Sequence, residues 1–428
     1  MKYLHKFDIL YKHQYGFRPK HSTVHPLIHL LDKIYNSLNK ENPEYTLGIF
    51  IDLKKAFDTC NFNILLAKLN HYGIRGFANC WFHSYLHNRQ QFTYVNGYSS
   101  SLKDISCGVP QGSILGPILF LLLINDLAKS SELLFTLLFA DDTTLQISSP
   151  DIDKLYETAN TELCKISDWF RASKLTLNTS KTKYILFRKP DMNVDFEKHF
   201  LYIENDLIER IGGGCEENSF KFVGVKIDEY LQWKDHLNSI KAKLASATFA
   251  LSKVKRLLPE KTKLTIYNSL FRSHIEYCNI AWGKSNPNLL SNFLTLQKKA
   301  LRYVSDTKPK SHTNPLLLKH NLLNVYDMIN FSSGVFMYKF TYNLLPSSFD
   351  GMFEKLLTHE RNLNYKTEVE KTSFVKIIPT SYMPKYWNSL NLEIKRSCSI
   401  NSFRTALQLN LQSNYNLTCS KKNCYSCS

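Results

Sequence analysis

Between Tyr45 and Phe187 the chain reads as strand, helix, hairpin, helix, strand, an order that few folds accommodate. Tyr45 to Leu53 is dense in Leu, Ile and Phe and predicts a buried strand. Asn63 to Tyr72 returns to a helical period. Leu133 to Phe139 and Thr143 to Ile147 predict two strands meeting at Ala140-Asp141-Asp142. Pro150-Asp151 then opens a helix with Ile152, Leu155, Ala159, Leu163 and Ile166 on one face, and Lys183 to Phe187 closes the series as a short strand. The pattern is the β-α-β-β-α-β of a split βαβ sheet with helices on one face, an α+β class. In that topology the end of the first strand lies beside the hairpin turn. Asp52 therefore meets Asp141 and Asp142, although they are about ninety residues apart in the chain.

Carboxylates brought so close repel one another unless a cation neutralises them. Magnesium suits such a site, because it takes a few carboxylates and fills its shell with waters and substrate phosphates. Two such ions can activate a 3′-hydroxyl and stabilise a leaving pyrophosphate. The charge balance points the same way: 54 Lys and Arg against 37 Asp and Glu leave a net +17, which favours a polyanionic partner such as nucleic acid. An apolar content of 43% excludes disorder as the dominant state. The longest apolar run, Ile114 to Ile124, is too short to cross a bilayer and contains Gly116 and Pro117, so no membrane partner is expected. Lys6 and Asp8 interrupt any signal peptide, and ten cysteines without framework spacing suit a reducing, intracellular compartment, nucleus or cytoplasm. Cys419, Cys424 and Cys427 lack a fourth ligand for a zinc site, and an exposed tail is the plainer reading. On these residues alone, a polymerase or nuclease competes with a plainer account. In the latter, Asp52 caps a helix and Asp141-Asp142 serve a turn.

Six ordered segments go further: QYGFRPKHST (14–23), GIFIDLKKAFDT (48–59), GVPQGSILGPILFLLLINDL (108–127), FADD (139–142), KLTLNTSKTKYILF (174–187) and FKFVGVKIDEYLQWKDHL (220–237). In order and spacing they resemble reverse transcriptases of non-LTR retrotransposons, the jockey-like LINE elements. The resemblance implies a right-hand polymerase with partial fingers, a split βαβ palm, a helical thumb and a helical C-terminal region. The corresponding domains are 1–240 for fingers, palm and primer grip, 241–285 for the thumb, and 286–428 for a region of unassigned role. It implies an RNA-directed DNA polymerase using two Mg²⁺ ions, with Mn²⁺ a possible substitute. Its partners would be an RNA template, a DNA primer or nicked target DNA, and dNTP.

Carried over residue by residue, Asp52, Asp141 and Asp142 are the implied metal-holding and catalytic carboxylates. Phe57 falls where the family places a ring beneath the incoming sugar, excluding a 2′-hydroxyl; a core aromatic is the alternative. Gln111 and Gly112 belong to the Pro-Gln-Gly turn that steadies the nucleotide, and Gly108, Gly112 and Gly116 permit close approach of backbone to a ligand. Arg18 is implied to reach the triphosphate and Lys181 to protonate pyrophosphate; ordinary surface charge is the alternative for both. Asp58 is read as structural. Gly212-Gly213-Gly214 lacks the Lys-Ser/Thr ending of a phosphate loop and reads as a turn before a Phe222 to Val225 strand, which resembles the primer grip.

Lys234 to Leu258 predicts one long helix with Leu237, Ile240, Leu244, Ala247, Leu251, Val254 and Leu258 on one face. Lys241, Lys253 and Lys255 lie largely off it and would meet duplex phosphates, or simply water. Family proteins carry an endonuclease and further fingers before the QYGFR motif, so an N-terminally truncated member is expected, and no RNase H signature is visible. A catalytically inactive, transposon-derived nucleic-acid-binding protein is the rival expectation. The retention of Asp52, Phe57, Gln111, Asp141 and Asp142 favours the enzyme.

Overall fold

In the computed structural model, which describes residues 1–356, 363–367 and 378–415, Tyr45–Ile51 (β1) is the middle strand of a five-stranded sheet. Its companions are Phe135–Phe139 (β2), Asp142–Ser149 (β3), Lys183–Phe187 (β4) and Glu209–Ile211 (β5), in the order β5-β4-β1-β3-β2. β1 runs antiparallel to both neighbours, with Ile51 opposite Thr143 and Phe50 opposite Lys183. The run β4-β1-β3-β2 is the split βαβ order the sequence predicts.

Period-two alternation along β1 divides the sheet's two faces. Leu47, Ile49 and Ile51 point into the core, where they meet Phe62, Leu65 and Leu69 of the helix Phe62–His71 and Leu119 to Ile124 of the helix Leu115–Ile124. Leu155, Ala159, Leu163, Ile166 and Phe170 of the helix Ile152–Ala172 complete this layer. Each of the large side chains contributes about 1.5–3 kcal/mol by leaving water. The helix Leu115–Ile124 is buried continuously from Leu119 to Ile124, which accounts for most of the longest apolar run in the chain. Asp151 caps the helix that follows β3, its carboxylate accepting from the N–H groups of Asp153 and Lys154.

Within residues 45–187 the helices share one face, as the element order predicts. The helix Val24–Leu38 lies on the other face, where Ser37 donates to Ser148 Oγ at 3.0 Å and Ser148 shares a 2.8 Å bond with Thr46. A helix ahead of the first strand is outside the β-α-β-β-α-β unit, so the element order could not assign it a face.

The chain divides into two compact units, Met1–Phe220 and Lys221–Ser428. The second is chiefly helical, with Lys234–Val254, Pro287–Val304, Val325–Thr341 and Ile400–Gln412 its longest elements. Leu237, Ile240, Leu244, Ala247 and Leu251 are buried, as the periodicity predicts. The helix ends at Val254 rather than Leu258: the N–H groups of Leu257 and Leu258 both turn back to the Val254 carbonyl, ahead of Pro259. A second correction concerns Phe222 to Val225, which is a tight turn between the strands Ser219–Phe222 and Val225–Asp228, not a strand. Val223 and Gly224 have φ of 39° and 85°, the pair of positive values that a two-residue hairpin turn favours. Tyr277 steadies it, its hydroxyl donating to the Val223 carbonyl at 2.7 Å. Cys419, Cys424 and Cys427 lie outside the described residues. No described helix is long and apolar enough to cross a membrane.

Candidate active site

The pairing of Ile51 with Thr143 puts Asp52, the residue just after β1, beside the start of β3, where Asp142 follows the two-residue turn Ala140-Asp141. The three carboxylates feel one another. Asp141 is raised above the usual carboxylate range by desolvation, with a further push from Asp52 against the pull of its own backbone N–H. Asp142, although solvent reaches more than a third of it, is pushed up to about 6 by desolvation and then by the charges of Asp141 and Asp52.

The turn itself is braced from behind. Residues 13–16 run along β2, with Tyr15 N–H bonded to the Leu138 carbonyl at 2.8 Å and Leu138 N–H to the His13 carbonyl at 3.0 Å. This brings the fully buried Gln14 under the turn, where its Oε1 accepts from Ala140 N–H at 3.1 Å and from Gly16 N–H at 2.8 Å. Ala140 has φ of 57°, a costly value for a residue with a Cβ. Gly16 must be glycine here, because a Cβ on it would lie 2.3 Å from the Ala140 nitrogen. Sequence reading placed the function of this motif on Arg18. In the structure Arg18 Nη1 donates to the carbonyls of Tyr11 and Gln14, at 2.9 and 3.2 Å, so it also stiffens the brace.

Asp52 is held from the other side by the loop before β4. Asn178 Nδ2 donates to Asp52 Oδ2 at 2.6 Å, Asn178 N–H donates to the Asp52 carbonyl at 2.9 Å, and Asp52 N–H donates to Thr182 Oγ1 at 3.2 Å. Lys181 is exposed on the same loop.

Phe57 and the Pro-Gln-Gly turn also come together. Val109 N–H bonds to the Phe57 carbonyl at 2.8 Å, Gly108 N–H to the Cys60 carbonyl at 2.9 Å, and Gln111 Nε2 to Asp58 Oδ1 at 2.7 Å. Asp58 therefore anchors Gln111. The Phe57 ring stacks on the buried Phe120 with centroids 4.5 Å apart and keeps part of its surface in solvent. The reading of the three glycines needs correction. A Cβ at Gly108 would meet the Asp58 backbone at 2.7 Å, and one at Gly116 the Pro110 carbonyl at 2.4 Å, so both serve close approach within the chain. Gly112, at φ of 81°, has open space where its Cβ would be.

In the second unit, Lys241 and Lys253 are exposed on the helix Lys234–Val254, and the Lys253 ammonium lies 5.1 Å from the centre of the exposed Phe249 ring. Lys255 lies just past the helix end, its Nζ donating to the Thr307 carbonyl at 3.3 Å.

As a donor set, Asp52, Asp141 and Asp142 are all hard oxygen and fit a hard divalent cation. Among the described residues no three His, Cys, Asp or Glu side chains already form a metal cage. Magnesium is commonly held by one or two carboxylates, with waters and substrate phosphates completing its shell.

Over 337 residues the chain is 26% identical to the probable RNA-directed DNA polymerase from transposon X-element of Drosophila melanogaster, covering 74% of this chain and 34% of that protein. It is 26% identical over 308 residues to the RNA-directed DNA polymerase from mobile element jockey of the same species, covering 69% of this chain and 32% of that one. The chain spans about a third of the length of these curated relatives. Among solved structures, apo telomerase from Candida tropicalis matches with 13% identity and a TM-score of 0.39, over 81% of this chain and 61% of that chain. Residues 1–227 match the profile of the family described as reverse transcriptase (RNA-dependent DNA polymerase), whose enzymes depend on divalent metal ions. That stretch takes in the carboxylates of β1 and the β2–β3 turn with both of their braces, and by it the chain belongs to the reverse transcriptase family.

Proposed function

We propose that the chain is an RNA-directed DNA polymerase of a non-LTR retrotransposon, extending the 3′-hydroxyl of a DNA primer or nicked target DNA with dNTP on an RNA template. The observation that carries this reading is the meeting of Asp52 with Asp141 and Asp142, whose mutual repulsion a divalent cation would relieve. Bound Mg²⁺, or Mn²⁺ in its place, supplies Lewis-acid activation of the primer hydroxyl and of the leaving pyrophosphate. Asp52 and Asp141 are its principal holders and Asp142 the second acid of the turn. Phe57, backed by Phe120, lies under the incoming sugar and excludes a 2′-hydroxyl. Gln111, anchored by Asp58, orients the nucleotide, and the open space at Gly112 leaves room for it. Arg18 would reach a phosphate through nitrogens other than the Nη1 it already uses. Lys181 gives a proton to the departing pyrophosphate. Lys241, Lys253 and Lys255 meet duplex phosphates without regard to sequence.

The experiment is extension of a DNA primer on an RNA template with Mg²⁺ and dNTP, beside an Asp141→Asn control of matched melting temperature. Mg²⁺-dependent products from the wild type, lost in the control, are expected. Duplex binding without any extension would instead favour a catalytically inactive nucleic-acid-binding protein.

A further inference from the structure

We propose that Asn178 is a positioning residue, fixing the carboxylate of Asp52 in the orientation in which it takes a divalent cation; the proposal rests on the reading of Asp52 as a metal-holding group. The loop before β4 is joined to the strand end over several residues. Lys54 N–H bonds to the Thr176 carbonyl at 2.9 Å, Leu53 and Leu177 form an antiparallel bridge, and Asn178 N–H bonds to the Asp52 carbonyl at 2.9 Å. The position of Asn178 relative to Asp52 is thus set by backbone pairing and does not depend on the side-chain bond.

On that frame the amide makes two contacts. Its Nδ2 donates to Asp52 Oδ2 at 2.6 Å, and its Oδ1 accepts from Ser180 Oγ at 2.9 Å. The carboxylate, which only accepts, sets the flip of the amide: it takes the NH₂, and the amide oxygen is left to accept from the hydroxyl of Ser180. Thr182 closes the arrangement, its hydroxyl donating to the Asn178 carbonyl at 3.0 Å while accepting from Asp52 N–H. One carboxylate oxygen is thereby tied, and no described residue donates a hydrogen bond to the other, Oδ1, which is left for a cation.

The choice of donor matters. A lysine or arginine at this position would neutralise Asp52 and compete with a metal ion for it. A neutral amide fixes the rotamer without cancelling the charge of the carboxylate. Hydrogen-bonded carboxylates are the ordinary company of bound metals, and loss of such a partner commonly costs 10–100-fold in metal affinity.

The test is Mn²⁺ binding to the full chain, followed by electron paramagnetic resonance without nucleotide or primer, in wild type, Asp52→Asn, Asn178→Ala and Asn178→Leu. Asp52→Asn should abolish the signal of bound Mn²⁺. Asn178→Ala should weaken binding by about 10–100-fold with a melting temperature close to that of the wild type. Asn178→Leu, which keeps the volume and removes the donor, decides the matter if the alanine variant leaves a hole that loosens the loop. Wild-type Mn²⁺ affinity in the folded Asn178 variants, with binding still lost in Asp52→Asn, overturns this inference and spares the carboxylate reading. Absence of Asp52-dependent binding in the wild type overturns both.

Discussion

At the end of β1 the protein engages Asp52 by its N–H, its carbonyl and one carboxylate oxygen, all through residues 178–182. At the β2–β3 turn it takes the opposite course, gripping the backbone of Ala140 through Gln14 while the carboxylates of Asp141 and Asp142 are crowded and raised in pKa. One acid is therefore oriented before any ligand arrives, and the other two are placed by the backbone at an electrostatic cost. On the proposed reading, a site that binds cations with each nucleotide and releases them with pyrophosphate benefits from this division. A fully satisfied trio would hold no free valence, and a fully strained one would not stay in place.

The strongest way to break the comparison is to remove either side's charge. Asp52→Asn and Asp141→Asn should each lower primer extension by about 10³-fold or more, since each takes away several kcal/mol of cation-dependent stabilisation. Single-turnover insertion measures this, and near-normal synthesis by either variant would end the equivalence of the two sides. Next is Phe57, attached by backbone to the Pro-Gln-Gly turn. If its ring lies under the sugar, Phe57→Ala should shift the dNTP-to-rNTP ratio of kcat/KM by about a hundredfold. If it serves only Phe120, the variant should instead lose about 3 kcal/mol of stability with the ratio unchanged.

Gln14→Ala probes the backbone grip. It leaves the N–H groups of Ala140 and Gly16 without their shared acceptor and should cost about 1–3 kcal/mol in urea unfolding, with weaker metal binding that Asn178 does not restore. The smallest effect should be a difference of sign. Asp52→Asn turns a charge-assisted bond to Asn178 into a neutral one and should destabilise the metal-free protein by about 1 kcal/mol. Asp142→Asn should stabilise it. Its carboxyl titrates at about 6 in the folded protein against 3.8 for an ordinary aspartate, so the folded state binds the extra proton between those values. Wild-type stability therefore falls as pH rises through that window, and the gain in Asp142→Asn should be complete above pH 6 and vanish below pH 4. Its size is about 1 kcal/mol, because solvent screens an exposed carboxylate. Chemical unfolding at pH 4 and pH 7.5 in a chelator checks the sign, and equal effects at both would remove the strain from the turn.

Much of this was legible in the residues. The run of strands and helices from Tyr45 to Phe187 carries its own topology, and topology alone brings Asp52 to Asp141. The braces were not legible. Gln14 and Asn178 lie inside the segments QYGFRPKHST and KLTLNTSKTK, where the sequence points to Arg18 and Lys181, since a charge advertises chemistry and an amide does not. Their partners lie at sequence separations of 126 residues in both cases, a distance over which periodicity says nothing. The Val223-Gly224 turn was hidden for a different reason: Phe-Val-Gly-Val has strand composition, and only the left-handed φ of Val223, supported by Tyr277, makes it a turn.

The bond from Gln14 to Ala140 also sets a clock. The four strands within residues 45–187 can pair among themselves, but the bend that presents Asp141 is finished only when Gln14, on the segment ahead of β1, docks beneath it, at the entropic cost of ordering that segment. A nascent or partly unfolded chain would then possess the sheet before it possesses a competent centre. Hydrogen exchange at the Ala140 amide during refolding would report the moment at which the bend is complete.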